Sequence, residues 1–473
     1  MGKYFGTDGI RGVVNDGLDA DLAFRAGQAA AMVLTENKGR RPFFTIGKDT
    51  RISGDMLEAA LVAGLCSAGA DVMLLGVVPT PAVAFITMDV GADAGIVISA
   101  SHNPYEHNGI KIFNSEGFKL SDELEGKIEE LIDAPERLIH KTDGDIGRVV
   151  KKNGDCVERY IDHVAGAAEG SIEKLRVMID CSNGAASKTA KSIFSRFPLE
   201  LEFINDNPDG ININEKCGST HPELLAKLVE AGGFDLGLAF DGDADRCIAV
   251  DEKGQIVDGD KIMAICGVAM KAKGKLAHDC IVTTVMSNLG FHEYTARSGI
   301  SVQCTPVGDR YVLERMLEYG YKLGGEQSGH IIFLDDSTTG DGQLTAVKFL
   351  SVISQSGMKV SELAGEIPTY PQILKNVPVK GGNEVKNALM ADERLKELIA
   401  KEEAKLGGRG RILVRPSGTE ALIRVMVEAQ HEEIAVECSE NLSKMINYYV
   451  GGNNSLKIFN KNILTLSNFA AII

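Results

Sequence analysis

Three times along this chain an apolar, strand-like run breaks directly into a polar loop, and that repeated junction constrains the fold more than any other feature. Residues 95–113 read GIVISASHNPYEHNGIKIF, residues 236–246 read LGLAFDGDADR, and a third run ends in GGEQSGH at residues 324–330. A buried strand that stops in serines, carboxylates or glycines delivers polar groups to the carboxyl end of a sheet, where open α/β sheets collect their ligands. Strands are expected at 43–47, 71–75, 177–180, 199–203, 280–285, 301–305 and 321–325, alternating with helical stretches. In one such helix Met56, Leu57, Ala60, Leu61, Gly64 and Leu65 fall on one face, the pattern of a helix packed on a sheet. The alternation predicts a largely parallel arrangement in three blocks of similar rhythm.

At 473 residues the chain is too long for one core and suits three or four domains. A charged amphipathic segment at 121–133 and a polar stretch at 141–155 close the first block, and the rhythm restarts twice before its character changes near Tyr370. The expected architecture is three similar mixed-sheet α/β domains plus a smaller α+β C-terminal domain around a central cleft. The expected domains are 1–150, 151–256, 257–369 and 370–452, followed by an appendage at 453–473. Lys457, Asn460, Lys461 and Asn462 interrupt that appendage, and its final uncharged run is far shorter than the ~20 residues of a membrane helix.

The formal net charge of -16 argues against nucleic acid and anionic membrane as partners, since both reward a basic surface. The nine cysteines are scattered singly, with no zinc spacing and an odd number, so a reducing, cytoplasmic setting is expected. No charged leader followed by an apolar run opens the chain, so no secretory signal is expected.

Ser101 stands at the end of an apolar strand, just before the turn signals Asn103-Pro104 and Asn108-Gly109. A serine hydroxyl needs activation to act as a nucleophile, and His102 and Lys111 are the nearby proton carriers; Ser99 is its neighbouring competitor. A plain strand-to-turn junction explains the same local pattern. Asp241, Asp243 and Asp245 repel one another unless a cation sits among them, which asks for a hard metal with oxygen ligands. FGTDGIRG, residues 5–12, sets glycines around Arg11, and Lys48 and Arg51 stand at another strand end. Arg415, Ser417, Gly418, Thr419 and Arg424 combine hydroxyls, a glycine turn and guanidinium groups, a plausible phosphate cradle and equally a polar hairpin turn.

Together the serine loop, the aspartate loop, GGEQSGH and RPSGTE resemble the α-D-phosphohexomutase superfamily, in the same order and over nearly the whole chain, residues 3 to about 450. The resemblance implies that Ser101 carries a transferable phosphoryl group and that Asp241, Asp243 and Asp245 hold Mg²⁺ together with it. It also implies that Arg11 and Arg246 share the charge, that Lys111 is the first candidate for acid/base work and His330 the second, and that Glu326 and Ser328 grip sugar hydroxyls. Arg415, Ser417, Gly418, Thr419 and Arg424 would hold the nonreacting phosphate. A phosphoserine adds roughly -1.5 to -2 charge to three aspartates, so nearby arginines and a lysine are physically required.

Two stretches resemble the amino-sugar branch: Gln327 stands where enzymes acting on phosphoglucose or phosphomannose usually have Met, and 211–223 reads ININEKCGSTHPE. The implied substrate is a phosphorylated amino sugar, glucosamine 6-phosphate, with glucosamine 1,6-bisphosphate or glucose 1,6-bisphosphate as activator, supplying UDP-N-acetylglucosamine and cell-wall precursors. Gln327 would orient Glu326 or reach the amino group through water, or else merely pack under the loop. A homodimer is left open. The same-superfamily alternative is an enzyme of phosphoglucose or phosphomannose.

Readings from other classes fit less of the chain. An EF-hand takes the three aspartates and even finds Glu252, yet Arg246 holds the place of its glycine. A haloacid-dehalogenase-like phosphatase makes Asp241 the nucleophile but leaves Ser101, GGEQSGH and RPSGTE without a role. A P-loop fails because His330 and Ile331 stand in place of its Lys and Ser/Thr.

Overall fold

The computed structural model describes residues 2–6, 8–35, 39–150, 155–379, 382–417 and 421–450. The chain divides into two compact units, one of residues 1–287 and 291–367, the other of residues 288–290 and 368–473.

Three sheets make up the first unit. In the first sheet Phe43–Lys48 lies parallel between Asp71–Val77 and Ala94–Ile98, while His107–Asn114 and Gly9–Val14 extend it antiparallel beyond Ala94–Ile98. In the second, Arg176–Asp180 lies parallel between Glu200–Ile204 and Leu236–Phe240, and Cys247–Asp251 returns antiparallel. In the third, Cys280–Thr284 lies parallel between Ser301–Thr305 and Leu323–Gly325, and Ile331–Phe333 returns antiparallel.

The expected mixed α/β sheets are therefore present, and their antiparallel members have one origin. Each polar junction is the tip at which a parallel core strand reverses into its own partner. The connections 99–106, 241–246 and 326–330 are shorter than the dozen or so residues that a parallel crossover requires, so the chain must turn straight back. Sequence periodicity had marked the incoming strands but not these return strands. The second of them, Cys247–Asp251, is buried throughout.

The helices bury the faces expected of them. In Gly54–Ser67 the buried positions include Leu57, Leu61, Gly64 and Leu65, and Ala20–Leu34 packs small alanines beside them. The latter helix starts at Asp19, whose carboxylate accepts the N–H of Leu22, one of the donors that a helix N-terminus leaves free. One apolar cluster runs without a break through Val97 and Phe113, Ile179 and Phe240, then Ile281 and Phe349, so the three sheets of this unit share a core.

The second unit has an antiparallel sheet in the order Gln372–Pro378, Leu422–Ala429, Gly410–Pro416. The helix Glu432–Val450 follows it, and Val377, Leu389, Leu395, Ile423, Val425, Leu442 and Ile446 form the unit's apolar cluster. The expected appendage at 453–473 lies outside the described residues. Among the described residues no helix is long and apolar enough to cross a membrane, and the nine cysteines are free thiols.

Candidate active site

Ser101 follows Ala94–Ile98 and is 1% exposed, with φ 53. A serine in this left-handed region is strained, and such strain persists only where surrounding contacts hold it. The contacts here are definite. Ser101 N–H donates to Ser99 Oγ at 2.9 Å, which occupies the competing serine as a brace. Ser101 Oγ donates to Asp241 Oδ2 at 2.6 Å and lies 3.3 Å from His102 Nδ1. Burial, then Arg246 and Arg11, push the His102 imidazole down to about 4, so it is neutral near pH 7.

The loop after Leu236–Phe240 presents Asp241, Asp243 and Asp245, all buried, with one oxygen of each within 4.8 Å of the others. Asp243 Oδ2 accepts from Thr80 Oγ1 at 2.7 Å and from Lys111 Nζ at 2.9 Å, whereas Asp243 Oδ1 and Asp245 Oδ1 are buried without hydrogen-bond partners. Burial and then the Asp245 and Asp243 charges raise Asp241 well above the ordinary carboxylate range. Burial acts the same way on Asp245 but is outweighed by Lys111, His330 and Arg246, which hold it low. Converging carboxylates with unsatisfied buried oxygens and one strained protonation equilibrium fit a hard divalent cation bound through oxygen.

Cations ring this acidic centre. Lys111 is 1% exposed and lies 3.1 Å from Asp8, 2.9 Å from Asp243 and 3.7 Å from Asp245. Burial opposes its charge, but these carboxylates prevail and keep it an ammonium. Arg246 donates its backbone N–H to Asp241 Oδ1 at 3.2 Å, and its Nε lies 3.8 Å from Asp245 Oδ1. Arg11 pairs with Asp8. Asp8 also meets Lys119 Nζ at 2.5 Å, and the same ammonium lies 2.5 Å from Asp309 Oδ2. Asp309 Oδ2 is in turn 3.5 Å from His330 Nε2, and His330 Nδ1 is 3.6 Å from Asp245. The Gly340 N–H donates to His330 Nε2 at 3.1 Å, which assigns the imidazole proton to Nδ1, facing Asp245.

The circuit Lys111, Asp8, Lys119, Asp309, His330, Asp245 thus closes on itself and draws on all three sheets. Sequence reasoning found Lys111, His330 and Asp245 but missed Asp8, Lys119 and Asp309. Asp8 stood inside the quoted FGTDGIRG; Lys119 and Asp309 carry no local signal.

Glu326, half-buried, accepts the Gly308 N–H through Oε1 at 3.1 Å, and Ser328 is exposed at the tip of the same turn. Gln327 does not reach toward Glu326: its Nε2 donates to Asp258 Oδ2 at 3.2 Å, and its carbonyl accepts from Gly259 N–H. This contact fits the reading in which Gln327 packs under the loop. Asp258 caps the helix Gly259–Ala272, so Gln327 ties the loop to a helix start.

In the second unit Arg415 and Arg424 face each other directly across the strand pair Gly410–Pro416 and Leu422–Ala429. Like charges at such positions repel one another. Ser417 is buried, and its carbonyl accepts from Lys386 Nζ at 2.6 Å. Gly418 and Thr419 lie outside the described residues.

Comparison with known proteins accounts for both units. Models of the phosphoglucomutase/phosphomannomutase family match in series: alpha/beta/alpha domain I at residues 2–138, domain II at 158–254, domain III at 258–370 and the C-terminal domain at 374–444. A phosphoglucosamine mutase of Moorella thermoacetica is 54% identical over 434 residues, 92% of this chain and 96% of that one. Another, of Acetivibrio thermocellus, is 51% identical over 452 residues, 95% of this chain and 100% of that one. Among solved structures, a phosphoglucomutase/phosphomannomutase family protein of Burkholderia thailandensis superposes with a TM-score of 0.78 at 25% identity, covering 95% of this chain and 98% of that one.

Proposed function

This chain belongs to the phosphoglucomutase/phosphomannomutase family, and we propose that within it the protein interconverts glucosamine 6-phosphate and glucosamine 1-phosphate, as a phosphoglucosamine mutase. The observation that carries the chemistry is the Ser101 hydroxyl, held 2.6 Å from Asp241 at the edge of a buried carboxylate triad. The relatives that cover more than nine-tenths of the chain carry the choice of substrate.

In this reading Ser101 bears a phosphoryl group in the resting enzyme. The sugar O1 attacks phosphorus as the Oγ–P bond breaks, the O1 proton passes to a basic group, and the product is the 1,6-bisphosphate. After the intermediate turns around, Ser101 Oγ attacks the phosphoryl group on O6, and glucosamine 1-phosphate leaves with a proton on O6. Catalysis of this kind is chiefly positioning and charge neutralisation. Asp241, Asp243 and Asp245 would hold a hard divalent cation, taken here as Mg²⁺, which would supply positive charge to the transferring group. Lys111, as an ammonium, offers a proton and a charge to the oxygen being released; Arg246 and Arg11 share the phosphoryl charge. His330, protonated at Nδ1, is a weaker second candidate for proton transfer. Glu326 and Ser328 bind sugar hydroxyls. In the second unit Arg415, Ser417 and Arg424 cradle the phosphate that does not react, and a 1,6-bisphosphate restores enzyme that has lost its phosphoryl group.

A substrate panel tests the assignment. With Mg²⁺ and the matching bisphosphate present, kcat/KM for glucosamine 6-phosphate exceeds that for glucose 6-phosphate and mannose 6-phosphate. Equal or higher efficiency with either neutral sugar assigns the protein to the other branch of the family.

A further inference from the structure

The stretch 211–223, ININEKCGSTHPE, takes no part in the chemistry above, yet it reaches the nucleophile. Asn214 is 8% exposed, with φ 58. Its side-chain amide donates to the carbonyls of Ser101 at 2.9 Å and Asn103 at 3.1 Å. The same two carbonyls accept from Arg51 Nη2, at 3.1 Å and 2.5 Å. Donors from two different sheets therefore converge on one short segment of backbone.

The orientation of the amide is determined by its surroundings. Asn214 Oδ1 accepts from Ser182 Oγ at 3.2 Å, and the Asn214 N–H donates to the Ser182 carbonyl at 2.9 Å, which leaves the NH₂ group to face the two carbonyls. Arg51 is set in the same way, its N–H donating to Asp49 Oδ1 at 2.9 Å and its guanidinium pairing with the same carboxylate. Gly242, between two aspartates of the acidic loop, closes the assembly: a Cβ there would lie 2.6 Å from Ser101 O and 2.8 Å from Asn214 Nδ2. The acidic loop therefore packs directly against both groups, and a side chain at position 242 would displace one of them.

We infer that Asn214 is a positioning residue for the reaction: with Arg51 it clamps the left-handed turn at Ser101 so that Oγ occupies one place when the phosphoryl group leaves and again when it returns. The inference rests on the reading of Ser101 as phosphoryl carrier. It gives 211–223 a mechanical part, as the arm that carries an amide from the second sheet to the nucleophile of the first. A reaction that uses one oxygen twice, as leaving group and then as nucleophile, gains most from such a clamp, because misplacement by about 1 Å can cost about 10²-fold.

Two variants of the full-length, Mg²⁺-loaded enzyme separate the clamp from simple packing. Asn214→Gly keeps the left-handed backbone without strain and deletes both donors. Asn214→Asp keeps the shape, the tolerance of positive φ and the Ser182 contact, but sets acceptors against two carbonyls. Rates are taken per phosphorylated chain, counted by intact-protein mass. In both variants kcat falls about 10- to 100-fold while KM for glucosamine 6-phosphate stays within about twofold. A kcat per phosphorylated chain within twofold of the parent in either variant overturns the inference, as does a loss that vanishes once activity is scaled to the folded fraction. Ser101→Ala runs alongside. If it is active, the carrier reading itself fails; if it is inactive while Asn214→Asp matches the parent, only the clamp fails.

Discussion

Replacing Lys119 with methionine deletes a charge while keeping much of the side chain's stem. Lys119 Nζ lies 2.5 Å from both Asp8 Oδ1 and Asp309 Oδ2, and only 14% of the side chain is exposed, so water does not substitute for it. Removing one partner of a buried ion pair costs about 3–5 kcal/mol, because the surviving charge stays buried. The two carboxylates are not left equally exposed to that cost. Asp8 keeps Lys111 at 3.1 Å and the Arg11 guanidinium, whereas Asp309 keeps the Arg310 N–H, and the His330 Nε2 at 3.5 Å, itself accepting from Gly340, offers it no proton. The loss falls mainly on Asp309, and the low end of the range, about 3 kcal/mol, is expected as a lowered urea midpoint at unchanged slope. Asp309→Leu combined with Lys119→Met should recover part of it, with a coupling energy of at least about 1 kcal/mol in the double-mutant cycle. Because Lys119 steadies Asp8 and Asp8 pairs with Lys111, kcat should also fall about tenfold, equivalent to about 1.4 kcal/mol. A stability change below about 0.5 kcal/mol, or strict additivity in the cycle, would show that the closed circuit is not energetically connected.

Three further outcomes follow from other parts of the structure. Glu169 is half-buried, which raises its carboxyl, but contacts to Lys273, Lys275 and Lys348 prevail and hold it down at about 2. Its stabilising effect is therefore complete above the unfolded value of about 4.3 and disappears as pH falls toward 2; with 21% of the side chain exposed, about 1–2 kcal/mol is at stake. Urea midpoints measured from pH 6 to pH 2.5 should fall less steeply for Glu169→Gln than for the parent. Gly329 has φ 92, and a Cβ there would lie 2.4 Å from the Cys247 carbonyl, so Gly329→Ala should cost at least about 2 kcal/mol, seen in thermal melts, and impair sugar binding, read as a raised KM. Chelation should abolish turnover and Mg²⁺ should restore it, Ca²⁺ less well because its coordination is longer and looser; turnover that survives chelation would remove the metal from the account.

Much of this architecture was legible because it is written locally. The runs before Ser101 and Asp241 are apolar and that before Glu326 is short, and each stops in a polar or glycine-rich turn, so strand ends and their polar loops could be read together. Ser101 and the three aspartates advertise themselves by type and spacing. The return strand His107–Asn114 was not read because Asn108 and Lys111, buried in it, break the apolar pattern; Lys111 is 1% exposed only because three carboxylates from two sheets surround it. Lys119 and Asp309 are ordinary charged residues in sequence, separated by 190 positions, and gain meaning only where the fold closes. Gln327 donates its side-chain amide to Asp258, a partner 69 positions away that no local pattern announces.

The central claim is that Ser101 is the phosphoryl carrier, and phosphopeptide mapping of the bisphosphate-treated enzyme tests it most directly. The account predicts one phosphate per chain, on Ser101 and not on Ser99, whose hydroxyl is occupied in bracing the Ser101 N–H, with Ser101→Ala unphosphorylated and almost without turnover. Phosphate on Ser99 alone, an acyl phosphate on Asp241, or full activity in Ser101→Ala would contradict it.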